Sequence, residues 1–299
     1  MLKNILFLII SYFCNDFIFA QLPYVITGRI ERHENFKSNY VQERNIDVWL
    51  PHNYQPNKKY AVLYMHDGQM LFDSTTTWNK QEWKVDENIA QLSQKNLIKE
   101  CIIVGIWNAG DLRRSEYFPK KVADFLPDSV KKFMLEKYLS NKIRSDDYLL
   151  FLVKELKPFI DKKYSTLKDR KNTFIAGSSM GGVISMYAIC EYPEVFGGAA
   201  CLSTHWIGSF EDNDLFPSLY LRYLEKHLPS SKKIKIYFDC GTETLDKFYP
   251  RHQKKVDDLM IKKGFTSKNF MTKVFEKESH SEKSWSKRLT IPFLFLLAK

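Results

Sequence analysis

Thr173-Phe174-Ile175-Ala176-Gly177-Ser178-Ser179-Met180-Gly181-Gly182 is an apolar run broken by a Gly-x-Ser-x-Gly pattern, and its reading decides the fold. The pattern predicts a nucleophile elbow, a strand turning sharply into a helix with the Ser179 hydroxyl exposed above the sheet edge on a strained backbone. Gly177 and Gly181 leave room where strand and helix approach and a Cβ would clash. A helix starting near Met180 aims its free N–H groups and positive dipole end at the same point, which suits a developing oxyanion. Alone the pattern is weak: about one random chain of this length in ten would carry it. A glycine-rich turn with a buried serine would read the same way, so the rest of the chain must discriminate.

Outward from the elbow, strand-like runs recur at wide spacing: 24–30, 46–50, 61–65, 101–106, 173–176, 199–202, 234–238 and 271–275. The first two alternate apolar and polar residues, as half-exposed antiparallel strands do, and the later ones are continuous apolar runs expected to be covered on both faces. Helix-like stretches lie between them at 86–92, 147–164, 183–191, 215–228, 252–263 and 285–297. This alternation predicts an α/β fold with a mostly parallel central sheet, helices on both faces and antiparallel strands at the N-terminus. Residues 108–144 show little periodicity and many charges, and read as an excursion over the C-terminal strand edge, where open α/β sheets bind ligands.

The 299 residues, 44% apolar and 15% aromatic, are enough to bury a sizeable core. The start differs from the rest. Met1-Leu2-Lys3-Asn4, the apolar stretch 5–13 and Ile18-Phe19-Ala20 before Gln21 have the layout of a cleavable secretory signal, too short to span a bilayer. Residues 1–20 are therefore expected to be a signal peptide, residues 21–299 one domain, and the mature protein secreted or periplasmic without a membrane span. Cys14 follows the bulky Phe13, which argues against a lipid anchor. Cys101, Cys190, Cys201 and Cys240 have neither zinc-site nor disulfide-scaffold spacing and are expected to be buried free thiols. The formal net charge of +10 comes from lysines scattered along the chain, and no basic run interleaves with aromatics, so no nucleic-acid partner is expected.

If Ser179 is a nucleophile, a base and an orienting acid must follow it in the order serine, acid, histidine. Of the seven histidines, His33, His52 and His66 precede the serine, and His227 and His252 fall inside helix-like stretches. His280 sits in a polar loop between the last strand and the C-terminal helix, where such a base belongs. The acid should follow the strand 234–238, where Glu243 and Asp246 both lie within reach, while Asp239 at the strand end reads as structural. An oxyanion hole needs two backbone N–H groups. Met180 supplies one, and Gln69, after the Gly68 turn that ends an early strand, is the expected second. Gly68 is read as permitting an unusual backbone there. His66-Asp67 has no partner with metal-ligand spacing, so neither metal nor cofactor is expected.

The ordered motifs resemble the putative esterase family of α/β-hydrolases, which includes esterase D-like enzymes, feruloyl and acetyl-xylan esterases and enterochelin-esterase-like proteins. The resemblance runs through Val62-Leu63-Tyr64-Met65-His66-Asp67-Gly68-Gln69, Trp83-Lys84-Val85-Asp86, Arg114-Ser115-Glu116-Tyr117 and Glu155-Leu156-Lys157-Pro158-Phe159-Ile160-Asp161 to the elbow. Beyond it come Ser203-Thr204-His205-Trp206, Gly241-Thr242-Glu243-Thr244-Leu245-Asp246, His280-Ser281-Glu282 and Trp285. It implies an α/β-hydrolase fold and carboxylic-ester hydrolysis, with Ser179 as nucleophile and His280 as base. Relatives place the acid in the 241–246 loop. Asp246 is chosen because Leu245 can anchor the loop inward, with Glu243 close behind.

The expected reaction is acyl-enzyme hydrolysis of esterified carbohydrate or related small esters. An enterochelin-type siderophore triester hydrolase or a non-catalytic binder on the same fold are the alternatives, and acyl transfer would use the same residues. Trp83, Trp107, Arg113, Arg114, Tyr117, His205 and Trp206 fall near strand ends or in the excursion. Arg114 and Trp206 are the expected substrate contacts, although Arg114 could instead pair with Glu116.

Overall fold

The computed structural model describes residues 21–299, so the expected signal peptide at 1–20 lies outside the described residues. One eight-stranded sheet organises the chain: β1 Arg29–Phe36, β2 Arg44–Leu50, β3 Ala61–His66, β4 Cys101–Ile106, β5 Thr173–Ser178, β6 Gly198–Leu202, β7 Lys235–Gly241 and β8 Phe270–Phe275. Their order across the sheet is β1-β2-β4-β3-β5-β6-β7-β8. β1–β2 and β2–β4 are antiparallel and every later pair is parallel. This is the mostly parallel sheet with an antiparallel N-terminal edge that the alternation of elements predicts. The order reverses direction around β3 and β5, and at such a switch point the crevice beyond the C-terminal strand ends is open to a ligand.

β3 to β6 are buried along their whole length because helices cover both faces. One face packs against the elbow helix Met180–Glu191, Leu215–His227 and Pro250–Lys262. The other carries Val85–Gln94 and the C-terminal helices, with Trp83 set against Trp285 at 5.3 Å between ring centroids. The four cysteines among the described residues are buried free thiols, three on strands and Cys190 on the elbow helix.

Several elements differ from the sequence reading. The first strand is Arg29–Phe36 rather than 24–30: Tyr24 and Ile26 are exposed, and their amides donate to the Asp73 and Asp86 carboxylates instead of a strand neighbour. β8 is an edge strand with half-exposed residues, not one covered on both faces. The stretch 285–297 is two helices, Glu282–Arg288 and Thr290–Leu297; Pro292 sits in the first turn of the second, where its missing N–H costs nothing. The excursion 108–144 is not irregular. It folds into Arg113–Tyr117 and Lys120–Ala123, each too short to show periodicity, and into Asp128–Tyr138, whose Val130, Phe133, Met134 and Tyr138 at helical spacing the sequence reading missed; Pro119 and Pro127 precede the last two.

Candidate active site

Ser179 stands between β5 and the elbow helix at φ 56° and ψ −122°. An L-residue pays of order 1–3 kcal/mol for such a backbone. What holds it there is packing: a Cβ on Gly177 would come within 2.7 Å of the Gly181 carbonyl carbon, so only glycine lets strand and helix close this tightly. The Ser179 amide donates to Leu202 O at 2.9 Å, and its carbonyl accepts from Val183 and His205. The turn is thereby tied to β6 as well as to its own helix.

The polar loop after β8 brings His280 to the same edge. Its Nδ1 lies 2.5 Å from Asp246 Oδ1. An ionised carboxylate can only accept, so the proton sits on Nδ1 and Nε2 is left as an acceptor. Tyr249 and Trp285 meet the imidazole edge-on at 5.8 and 5.1 Å and set its plane. Asp246 is fully buried, whereas Glu243 is exposed, so of the two candidate acids only Asp246 is joined to His280. Its second oxygen accepts from the Ser203 hydroxyl at 2.5 Å and the Gly241 amide at 2.6 Å. Burial alone would raise this carboxyl, but the bonds from His280, Ser203 and Gly241 outweigh it and hold Asp246 below the usual aspartate range.

Behind Asp246 stands a layer of residues to which the sequence reading assigned no role. Ser203 Oγ accepts from Trp285 Nε1 and Arg288 Nη2, each at 2.9 Å. Arg288 also grips the buried Asp239 at 2.8 Å, which confirms Asp239 as structural. The available signal was position: Ser203 follows β6 directly, at the C-terminal edge where the parallel strands deliver their loops.

After β3, the residue with the unusual backbone is Asp67 (φ 57°), not Gly68. Gly68 is required for a different reason, since a Cβ there would lie 2.5 Å from the Gly105 carbonyl carbon. Gln69 occupies the 3₁₀ turn Gly68–Met70, and its side-chain oxygen accepts the Asn108 amide. Asp67 is clamped by Arg113 at 2.6 Å and by the side-chain Nδ2 of Asn108. Burial would raise this carboxyl, and Arg113 overcomes it, leaving the pKa depressed.

A cavity of about 360 Å³ opens over this edge and is lined by Ser179, Met180, His205 and His280 on one side. The 108–144 excursion supplies the opposite wall through Phe118, Phe133, Met134 and Tyr138, with Phe210 and Phe216 at the end. Arg114 is on this wall, its guanidinium 5.2 Å from the Phe210 ring and 5.4 Å from Tyr138. It does not pair with Glu116, which is buried against Arg44 at 2.6 Å. Trp206 is not a cavity residue: it is 1% exposed, donates its indole N–H to Gln253 and packs on Tyr220 and Phe238. A large ring following an elbow-proximal strand fills the core here. Trp83 and Tyr117 are likewise buried, and Trp107 donates to Asp47. His205 does face the cavity. Burial, then the nearby His280 and Arg113, push its pKa down to about 3, so it is neutral at ordinary pH and its Nδ1 meets the Tyr249 hydroxyl at 2.7 Å.

Residues 38–293 match the family described as “Putative esterase”. “Uncharacterized protein YjcH” of Bacillus subtilis is 24% identical over 227 residues, 73% of this chain and 75% of its own. Among solved structures, a ferulic acid esterase superposes with a TM-score of 0.64 at 20% identity, covering 92% of this chain and 99% of that one. The enterobactin esterase FES from Shigella flexneri superposes at 0.62 with 15% identity, over 92% of this chain and 60% of that one. At such identities the two structures speak to the fold.

Proposed function

The chain belongs to the family described as “Putative esterase” and is a carboxylic ester hydrolase; from that premise we propose a serine enzyme that works through an acyl-enzyme on esters of carbohydrates or related small alcohols. His280 Nε2 takes the Ser179 proton, Ser179 Oγ attacks the ester carbonyl, and the Met180 and Gln69 amides hold the oxyanion. His280 then protonates the leaving alcohol, and water repeats the sequence to release the acid. Asp246 fixes the productive tautomer and stabilises the imidazolium. The observation that carries this reading is the bond from buried Asp246 to His280 on a cavity whose wall also holds the strained Ser179.

The cavity wall supports an apolar or aromatic group on one side of the ester, which agrees with a feruloyl-type acyl group. Arg114 supports a second reading, an anionic aromatic ester of the siderophore type, because its guanidinium reaches the cavity without a carboxylate partner among the described residues. Export through the N-terminal segment would place the enzyme where such esters occur. No helix among the described residues is long and apolar enough to cross a membrane.

The deciding experiment screens acetylated sugars, feruloyl esters, p-nitrophenyl esters and catecholate triesters against wild type and Ser179→Ala. The variant should lose several orders of magnitude in turnover with its melting temperature intact. p-Nitrophenyl acetate hydrolysis at the wild-type rate in that variant would remove Ser179 from the mechanism. A fluorophosphonate probe should label wild type and not the variant; an unlabelled wild type favours a non-catalytic binder. Product analysis with a competing alcohol separates hydrolysis from acyl transfer.

A further inference from the structure

The net charge of +10 is spread along the sequence but not over the fold. A groove of about 540 Å³ lies at the opposite edge of the sheet from Ser179, where the parallel strands begin. Lys99 enters it just before β4, Arg170 and Lys171 from the turn into β5, Lys232, Lys233 and Lys235 from the turn into β7, and Lys268 from the turn into β8. No acidic residue lines it. Among the described residues, none of these seven cations makes an ion pair with a carboxylate, whereas cations such as Lys58, Arg251, Lys255 and Lys287 do. Arg170 donates to the Lys233 carbonyl, Lys235 to the Phe295 carbonyl, and Lys99 to Asn172 Oδ1 and the Lys171 carbonyl with its ammonium over the Phe174 ring. Partial burial, then the neighbouring Lys235, lower the Lys99 pKa against the opposing pull of Asp169, as expected where like charges outnumber the nearby carboxylate. Lys99 also borders a second hollow of about 590 Å³, which adds Lys59, Lys299 and the Lys58–Glu100 ion pair.

Unpaired like charges repel, and a fold keeps them in one concavity at a cost that an anionic ligand would remove. We infer that this groove docks an acidic polysaccharide, a polymer carrying carboxylates on successive sugars, and holds the enzyme on it while the opposite edge does the chemistry. Extent and concavity fit a chain lying along the strand starts rather than a single small anion. Ser231, Thr266 and Asn269 add hydroxyl and amide groups suited to sugar hydroxyls. Nucleic acid fits less well, because the only ring lining the groove, Phe174, is 2% exposed and offers no face for base stacking. A bilayer fits less well too: the apolar side chains that line the groove, Phe174, Ile234 and Leu296, are all buried and could not enter it. β5 separates the groove from Ser179 by about 17–20 Å, at about 3.3 Å per residue, so this is not a substrate subsite.

Polygalacturonate is the test polymer, in affinity electrophoresis at low and rising salt, with dextran, phosphatidylglycerol vesicles and single-stranded DNA alongside. Lys171→Glu, Lys232→Glu, Lys233→Glu and Lys268→Glu combined reverse four exposed charges. Wild type should bind polygalacturonate and not dextran. The variant should bind at least about 30-fold more weakly, with a salt slope smaller by up to about one per lost contact. Hydrolysis of p-nitrophenyl acetate should stay within twofold, so failure of docking and failure of the esterase reading are separate results. A control with Lys95→Glu, Lys132→Glu, Lys247→Glu and Lys262→Glu has the same net charge. Equal loss in that control, unchanged binding in the groove variant, or tighter binding of wild type to vesicles or DNA than to polygalacturonate would each overturn the inference.

Discussion

Asp246→Asn removes one charge and almost no volume, so its effect follows from which way the amide turns. Asp246 Oδ1 faces one donor, His280 Nδ1, whereas Oδ2 faces two, the Ser203 hydroxyl and the Gly241 amide at 2.6 Å. The asparagine oxygen therefore belongs on the Oδ2 side, because an NH₂ there would meet a backbone N–H that cannot turn away. Its NH₂ then points at Nδ1, which must accept, and the imidazole proton moves to Nε2, the atom needed to take the Ser179 proton. Reversing the amide leaves one or two buried donors without an acceptor, at about 2–5 kcal/mol. Losing a full charge beside the forming imidazolium adds about 1–2 kcal/mol. At about 1.4 kcal/mol per tenfold, kcat should fall by about 10²–10⁵, with KM little changed. Initial rates on p-nitrophenyl acetate between about pH 6 and 9, with a thermal melt to show the fold intact, measure this. A folded Asp246→Asn enzyme retaining more than about a tenth of wild-type kcat would refute the tautomer argument. So would Glu243→Gln falling as far, because Glu243 is exposed and should leave kcat within twofold.

Two more substitutions probe the supports. Ser203→Ala takes a hydroxyl from Asp246, Trp285 and Arg288 at once. It should cost about 2–4 kcal/mol of stability and lower kcat at least about tenfold with KM unchanged; an unaltered melting temperature would show that water or another group replaces it. Asp67 tests the pH dependence. Its folded pKa is depressed, so its contribution to stability is fully present above the ordinary aspartate pKa of about 3.9 and is lost as pH falls through the folded value. Asp67→Asn should therefore flatten the decline of melting temperature below about pH 4, and a decline as steep as in wild type would show that Arg113 does not stabilise the ionised form.

Local chemistry made the proposed reacting residues legible. The elbow declares itself because only glycine tolerates the Gly177–Gly181 approach, and His280 because the fold leaves one polar loop between the last strand and the last helices. Both are constraints within a few residues of sequence. Glu243 and Asp246 are three residues apart in one loop, and nothing local separates them. What separates them is that Asp246 can turn into the space between Gly241 and Ser203, and Ser203 reaches it from another strand, 43 residues away. Trp206 misled for a related reason: an aromatic after a strand end is equally suited to a cavity wall and to the core, and the choice depends on Gln253, 47 residues later, accepting its indole N–H.

The same distinction explains why charge could not be read from composition. A parallel sheet sends every strand start to one edge and every strand end to the other, whatever the spacing between strands in the chain. Residues just before β4, β5, β7 and β8 are therefore neighbours although up to 169 positions separate Lys99 from Lys268. Lysines that look scattered are, after folding, at equivalent positions of successive units. Ser179, Ser203, Asp246 and His280 sit after β5, β6, β7 and β8 by the same rule. One topology thus sorts the proposed catalytic residues to one edge and the cations of the groove to the other, held apart by the length of the strands. Each edge should be alterable without the other: charge reversal at the strand starts should leave ester hydrolysis intact, and removal of the Ser179 hydroxyl should leave polyanion binding intact.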